Sequence, residues 1–194
     1  MQHRNAKDAG STIDTVYCPL WVNLASLQLY RRNLSAGSTV EQSVRCDRIA
    51  PGALLIRARL RMELEGYVDL SGARNDALMA DHLAAGHNSK IKRISALAFL
   101  RNDEFSSAIT QAQQAIDLND MATVNYLIIA VAKARLGDLD DARTAYDRAD
   151  ALWPENLKSP DGFVASAHRG ILWFDTTEEL LGLRREAEEL VGVE

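Results

Sequence analysis

The sequence has few cysteines, no excess of basic charge and no long apolar segment. Only two of its 194 residues are cysteines, Cys18 and Cys46, so buried thiols in a reducing compartment are expected rather than a disulfide framework. The net charge of −5 lacks the basic excess of a nucleic-acid-binding protein. The apolar run 16–30 contains Pro19 and Asn23 and is too short and polar to span a bilayer. Together with a polar N-terminus that lacks a signal-peptide pattern, these absences predict a soluble, cytoplasmic protein without nucleic-acid or membrane partners.

The sequence also lacks a recognisable catalytic or metal-binding motif. Its four histidines do not stand at zinc-finger or metalloprotease spacing, and His82 and His87 are five apart, which places them on different faces of a helix. The acidic run 138–141 lacks the spacing of a calcium loop and instead favours a helix N-terminus, where carboxylates are stabilised by the helix dipole. We therefore expect a non-enzymatic protein with no metal and no cofactor.

Helical spacing of apolar residues extends through most of the chain and predicts an all-α protein of about nine helices. Residues 1–50 are expected to form a polar tail and a helical arm that packs on a repeat domain formed by residues 51–194. The arm contains an amphipathic helix at 20–34, and a capping-box pattern of Ser38 and Glu41 predicts a second helix from about Thr39. Short connections indicate that successive helices run antiparallel.

Several local features of these helices can be predicted from residue type and spacing. Ser71 is expected to cap one helix, and either Asn88 or Ser89 the next. A second capping-box pattern, at 176–179, predicts the start of the C-terminal helix. Arg59 and Arg61 each stand four residues before a glutamate, which favours solvated ion pairs over a phosphate site.

Alanines recur through the chain at intervals of 34 or 35 residues. Ala73, Ala108 and Ala142 form one series, and Ala80, Ala115 and Ala149 form another. A period of this length is typical of stacked helix–turn–helix units. Alanine is suited to the crossing points because a methyl group lets two helix axes approach closely.

The unit from Thr123 to Glu155 resembles a tetratricopeptide repeat (TPR), whose pattern is W-x2-L-G-x2-Y, then A-x3-F, then P. The positions that carry the resemblance are Tyr126, Ile129, Ala130, Gly137, Ala142, Tyr146, Ala149 and Pro154. Lys133 departs from the pattern at the tyrosine position. The preceding unit, 89–122, and an earlier one, 52–86, match more weakly. The resemblance implies a short right-handed superhelix of antiparallel helix hairpins with a C-terminal capping helix.

The resemblance also implies a concave groove lined by the first helix of each unit. The residues predicted to line it are Lys90, Arg93, Leu97, Leu100, Val124, Leu127 and Val131. This lining is mostly apolar with a basic edge, which suits an amphipathic helix or apolar peptide of a partner. Alternatively the groove is filled by the chain's own N-terminal helix or by a homodimer, because a stable monomer seldom leaves a large apolar patch exposed.

Two functions follow as expectations from the implied architecture. The first is a protein–protein interaction module that acts as a scaffold or adaptor. The second is a structural or regulatory appendage of a larger bacterial signalling protein, because the C-terminal tail is loosely similar to tails that follow repeat units in large bacterial multidomain proteins.

Overall fold

The fold is taken from a computed structural model that describes residues 41, 51–63, 66–120, 122–153 and 177–193. Within these ranges the chain forms no strand, and the ranges from residue 51 onward form seven α-helices. They are α1 Pro51–Glu63, α2 Leu70–Leu83, α3 Ser89–Arg101, α4 Phe105–Asp117, α5 Ala122–Arg135, α6 Leu139–Ala151 and α7 Thr177–Val191. The all-α prediction is confirmed for this part of the protein.

Some of the predicted features lie outside the described residues. These are the helix at 20–34, most of the predicted arm, and the capping residues Ser38 and Thr176. Glu41 is helical, which agrees with a helix that begins near Thr39. The packing of the arm on the repeats stays a prediction.

The chain divides into two compact units, of which the first ends at Leu83 and the second begins at Ala84. In the first unit α1 packs against α2. An ion cluster joins them: Arg57 donates two hydrogen bonds to Asp76, at 2.6 and 2.8 Å, and Arg61 donates a third at 2.8 Å. Arg57 also reaches Glu41 at 3.3 Å. Arg57 thus links the carboxylates of Glu41 and Asp76.

In the second unit the helices pack mainly with their neighbours along the chain. α3 packs on α4, α4 on α5, and α5 on α6, while α7 packs on both α5 and α6. α5 lies at the centre, since it contacts α3, α4, α6 and α7. Its residues Val124, Asn125 and the six from Leu127 to Ala132 are buried, which explains why its sequence is apolar on nearly every side.

The α3–α4 turn and the α5–α6 turn contain the same hydrogen bonds, displaced by 34 residues. The backbone N–H of Glu104 donates to the carbonyl of Phe99 at 3.0 Å, and that of Asp138 donates to the carbonyl of Lys133 at 3.0 Å. The bonds that close the last helical turn recur with the same displacement. These bonds satisfy the carbonyl groups at each helix C-terminus. The 34-residue period of the sequence is therefore also a period of the backbone.

One residue in each turn adopts a left-handed backbone conformation. Asp103 has a φ of 59° and Gly137, 34 residues later, has a φ of 88°. Glycine adopts this conformation without steric cost, and aspartate is among the residues that tolerate it best. The turn predicted at Gly137 is confirmed.

The periodic alanines are buried at the helix contacts of both units. All six alanines of the two series are at most 1% exposed, so their predicted burial is confirmed. In each of the three described hairpins, the first alanine of the second helix also donates its N–H to the carbonyl of an acidic residue four positions earlier. The pairs are Ala73 and Asp69, Ala108 and Glu104, and Ala142 and Asp138. An acidic residue thus precedes the second helix of all three described hairpins, where the helix dipole favours negative charge.

The structure confirms one predicted cap and corrects another. Asn88 caps α3, because its side-chain oxygen accepts hydrogen bonds from the N–H groups of Lys90 and Ile91 at 3.1 and 3.2 Å. The predicted cap Ser71 is wrong: α2 begins at Leu70, and it is Asp69 whose carboxylate accepts the N–H of Gly72 at 2.8 Å.

The paired face predicted on α1 is also corrected. Arg59 pairs with Glu63 at 2.6 Å as the spacing predicts, but the arginine side chain is only 1% exposed and does not lie on a solvated face. Arg61 binds Asp76 at 2.8 Å and Asp69 at 3.6 Å. Its predicted partner, Glu65, lies outside the described residues.

Candidate functional site

The seven predicted groove residues lie on α3 and α5 of the second unit. Lys90 is exposed, whereas the other six are at most 4% exposed, namely Arg93, Leu97, Leu100, Val124, Leu127 and Val131. Their burial within a single chain fits the alternative in which the groove is occupied. The N-terminal helix that was one predicted occupant lies outside the described residues, and the groove itself stays a prediction.

The predicted basic edge of the groove is largely buried. Arg93 donates a hydrogen bond to Asp120, and its Nη1 atom lies 3.2 Å from Oδ2 of that aspartate. The side chain of Arg93 is only 4% exposed and that of Asp120 only 6%. Asn125, which is also buried, donates to the same carboxylate at 3.5 Å. Lys92 is buried as well. The charge of Arg93 therefore ties α3 to the connection between α4 and α5.

A carboxylate on α7 joins the ends of α3 and α5. Glu186 accepts a hydrogen bond from Arg101 at 3.0 Å and another from Arg135 at 3.1 Å. Arg101 is the last residue of α3 and Arg135 the last residue of α5, and they are 34 positions apart. One acidic side chain therefore binds the same position of two successive hairpins.

A second polar contact joins α7 to α6. Arg184 donates to Asp150 at 2.7 Å and to Glu188 at 2.7 Å, and its guanidinium lies 4.5 Å from the ring centroid of the buried Trp153. The hydroxyl of Tyr146 donates to Glu188 at 2.8 Å. The cation–π contact and the two interhelical hydrogen bonds, Arg184 to Asp150 and Tyr146 to Glu188, thus place α7 along the C-terminal half of α6. The bond from Arg184 to Glu188 lies within α7.

Burial and hydrogen bonds shift the pKa values in this contact. Burial raises the pKa of Tyr146, and the hydrogen bond to Glu188 raises it further. Burial alone would raise the pKa of Glu188, but the hydrogen bonds from Arg184 and Tyr146 outweigh it and hold that pKa below its ordinary value. Glu188 is therefore ionised at neutral pH, as its role as an acceptor requires.

The first unit contains the other cluster with shifted pKa values. Tyr67 donates to Glu41 at 2.5 Å, and burial together with that bond raises its pKa to about 12. Burial would raise the pKa of Glu41, but hydrogen bonds from Tyr67 and Arg57 and the charges of Arg57 and Arg61 lower it. The groups of this cluster bind one another, which is the arrangement of a structural contact.

The residues that place α7 were not singled out from the sequence. Arg101 and Arg135 could have been found, since both occupy the same position of the 34-residue period and each follows a groove residue, Leu97 or Val131, by four. Glu186 and Arg184 carry no such signal, because the tail departs from the repeat pattern.

The described residues show neither a metal cluster nor a membrane-spanning helix. Within the described ranges no three His, Cys, Asp or Glu side chains are arranged to hold a metal ion. In the same ranges no helix combines the length and apolar character needed to cross a membrane. His82 and His87 are both exposed.

The geometry of the second unit is thus a stack of helices with equivalent turns, to which α7 is fastened by charged contacts. Comparison of the sequence with protein-family models and with curated proteins gives no match.

Proposed function

We propose that the second unit is a TPR-like protein-binding module that acts as a scaffold or adaptor without enzymatic activity. The observation that carries this proposal is the 34-residue repetition of the turn hydrogen bonds together with the burial of the alanines in the same period. Repetition of this kind stacks helix hairpins side by side, and the first helices of such hairpins form an extended surface suited to a peptide or helix.

Contacts between α5 and α6 support the assignment of α5 residues either to the interface with α6 or to the predicted groove. Lys133, which departs from the family pattern, forms an ion pair with Asp141 of α6. Arg148 of α6 lies over the ring of Tyr126 of α5, 5.7 Å from its centroid. Tyr126 and Lys133 therefore face the partner helix, and the stripe through Val124, Leu127 and Val131 belongs to a different side of α5.

A crosslinking experiment tests the proposed function. A photoreactive amino acid is introduced at Lys90, the exposed residue of the predicted groove, and at Asp147, an exposed residue of α6, as the matched control. We expect irradiation in native cells to attach a defined protein to position 90 and not to position 147. The purified partner should then bind the wild-type chain and bind the Lys90→Glu variant more weakly. Absence of crosslinks, or the same products from both positions, would contradict the proposal.

The second candidate function is a structural or regulatory appendage of a larger bacterial signalling protein, whose groove is filled by its own N-terminal helix or by dimerisation. The burial of six of the seven groove residues favours it. In that case position 90 gives no product with another protein, and the dominant crosslink joins two segments of one chain or two copies of it.

A further inference from the structure

The position of Glu186 shows on which side of α5 the C-terminal helix lies. Leu97 and Arg101 are four residues apart on α3, as are Val131 and Arg135 on α5, so each arginine continues the face that carries a predicted groove residue. Both arginines bind Glu186. α7 is therefore attached at the C-terminal end of the predicted groove stripe on two successive hairpins.

The contacting face of α7 has the pattern of a helical ligand. Leu180, Leu183 and Ala187 are three and four residues apart and are at most 3% exposed, so they form one apolar stripe. Glu186 lies beside that stripe and is bound by cations of α3 and α5. Leu181 lies on the other side of α7 and is exposed. The surface beneath α7 thus accepts an amphipathic helix with two leucines three apart and a glutamate three residues after the second.

The polar contacts of α7 with α3 and α5 can be exchanged for those of another helix. The side chains of Arg101 and Arg135 remain 35% and 49% exposed while they bind Glu186. Water can therefore solvate both arginines when Glu186 leaves, and no charge is left buried and unpaired. A carboxylate on another helix can take the place of Glu186.

From these observations we propose that α7 is a built-in occupant of the protein-binding surface, and that an acidic amphipathic helix of a partner protein competes with it for the same site. This inference rests on the proposed function, since it names the class of partner and the way in which access is regulated. The partner helix is recognised by leucines that replace Leu180 and Leu183 and by a carboxylate that replaces Glu186.

A peptide-binding experiment with the full chain tests this inference. The probe is a fluorescein-labelled peptide of residues 177–193, and its anisotropy is measured against the wild-type chain and the Glu186→Lys and Glu189→Lys variants. Glu186→Lys places a positive charge beside Arg101 and Arg135 and weakens the attachment of α7. Glu189→Lys makes the same charge change at an exposed position of α7 and is the matched control.

We expect the peptide to bind Glu186→Lys at least tenfold more tightly than it binds the wild-type chain or Glu189→Lys. A peptide that itself carries Glu186→Lys should lose this gain, because it cannot bind the two arginines. Circular dichroism of both variants must match the wild type, which excludes global unfolding as the cause of binding.

Three results would overturn the inference. The first is that the peptide binds none of the three chains, and the second is that it binds Glu186→Lys and Glu189→Lys equally. The third is that Glu186→Lys dimerises and excludes the peptide, because a dimer would assign the surface to a second copy of the chain. Crosslinking of a partner at Lys90 would survive any of these results. The proposed function and this inference can therefore fail separately.

Discussion

Ala142→Leu tests the close approach of helices on which the repeat architecture depends. Ala142 is fully buried on α6, which packs against α5 and α7. Leucine adds three carbon atoms at a position where no part of the side chain is accessible to solvent. Alanine and leucine are both strong helix formers, so the substitution changes the packing of α6 without a large change in its helix propensity.

The expected cost follows from the packing of a buried site. Insertion of extra carbon atoms into a close-packed contact forces neighbouring side chains or helices to move, which costs about 1–3 kcal/mol. For a unit of roughly 100 residues each kcal/mol lowers the melting temperature by about 4–8 °C. We therefore expect Ala142→Leu to lower the melting temperature of the second unit by roughly 4 °C or more.

The chain provides a matched control on the same helix. Ala151 is the last residue of α6 and is exposed, so Ala151→Leu makes the same chemical change without filling a contact. Ala108→Leu, at the equivalent buried position of the preceding hairpin, should behave as Ala142→Leu does. Thermal unfolding followed by circular dichroism at 222 nm compares the three variants. If Ala142→Leu melts within 1 °C of Ala151→Leu, alanine is not required at this crossing and the reasoning is wrong.

Three further predictions concern single contacts. Arg93→Ala should lower the free energy of unfolding by about 3–5 kcal/mol in urea titrations, because it leaves a buried carboxylate without its cation; a loss below about 1 kcal/mol would show that this carboxylate is solvated. The pKa of Glu188 is depressed in the folded state, so ionised Glu188 contributes to the free energy of unfolding. This contribution is fully present above pH 4.5, the ordinary pKa, and is lost as the pH falls through the folded pKa. In a background in which Trp21 and Trp173 are replaced by phenylalanine, the fluorescence of Trp153 should report this loss as a change at low pH that Glu188→Gln abolishes. A pH profile that is identical with and without Glu188→Gln would refute the role of this group. Asn88→Ala should destabilise the second unit by about 1 kcal/mol in the same urea titrations, and unchanged stability would show that the cap is dispensable.

Local features of the fold could be predicted because they depend on neighbouring residues. The helical spacing, the cap at Asn88, the turn at Gly137 and the buried alanines all follow from residue type and short-range periodicity. A side chain that caps a helix or a residue with positive φ acts within a few positions of itself, so the sequence contains the whole interaction.

Features that depend on distant packing could not be predicted in this way. The spacing of Arg59 and Glu63 predicted their ion pair, but the burial of Arg59 depends on elements elsewhere in the chain. Arg93 was assigned to the groove because of its helical position, whereas its partner Asp120 is 27 residues away. The contact of Arg101 with Glu186 spans 85 residues and joins a repeat to a tail that does not share its pattern.

The equivalent turns also determine which changes in chain length the second unit can accept. In-frame duplication of Phe105–Asp138, a segment of 34 residues, would join Asp138 to Phe105, so that an acidic residue again precedes a helix as Glu104 does now. The inserted hairpin would present its alanines in phase with those already there. Insertions of other lengths between these turns would put the alanines out of phase. This architecture can therefore lengthen during evolution in whole hairpins, and it tolerates few insertions of intermediate length.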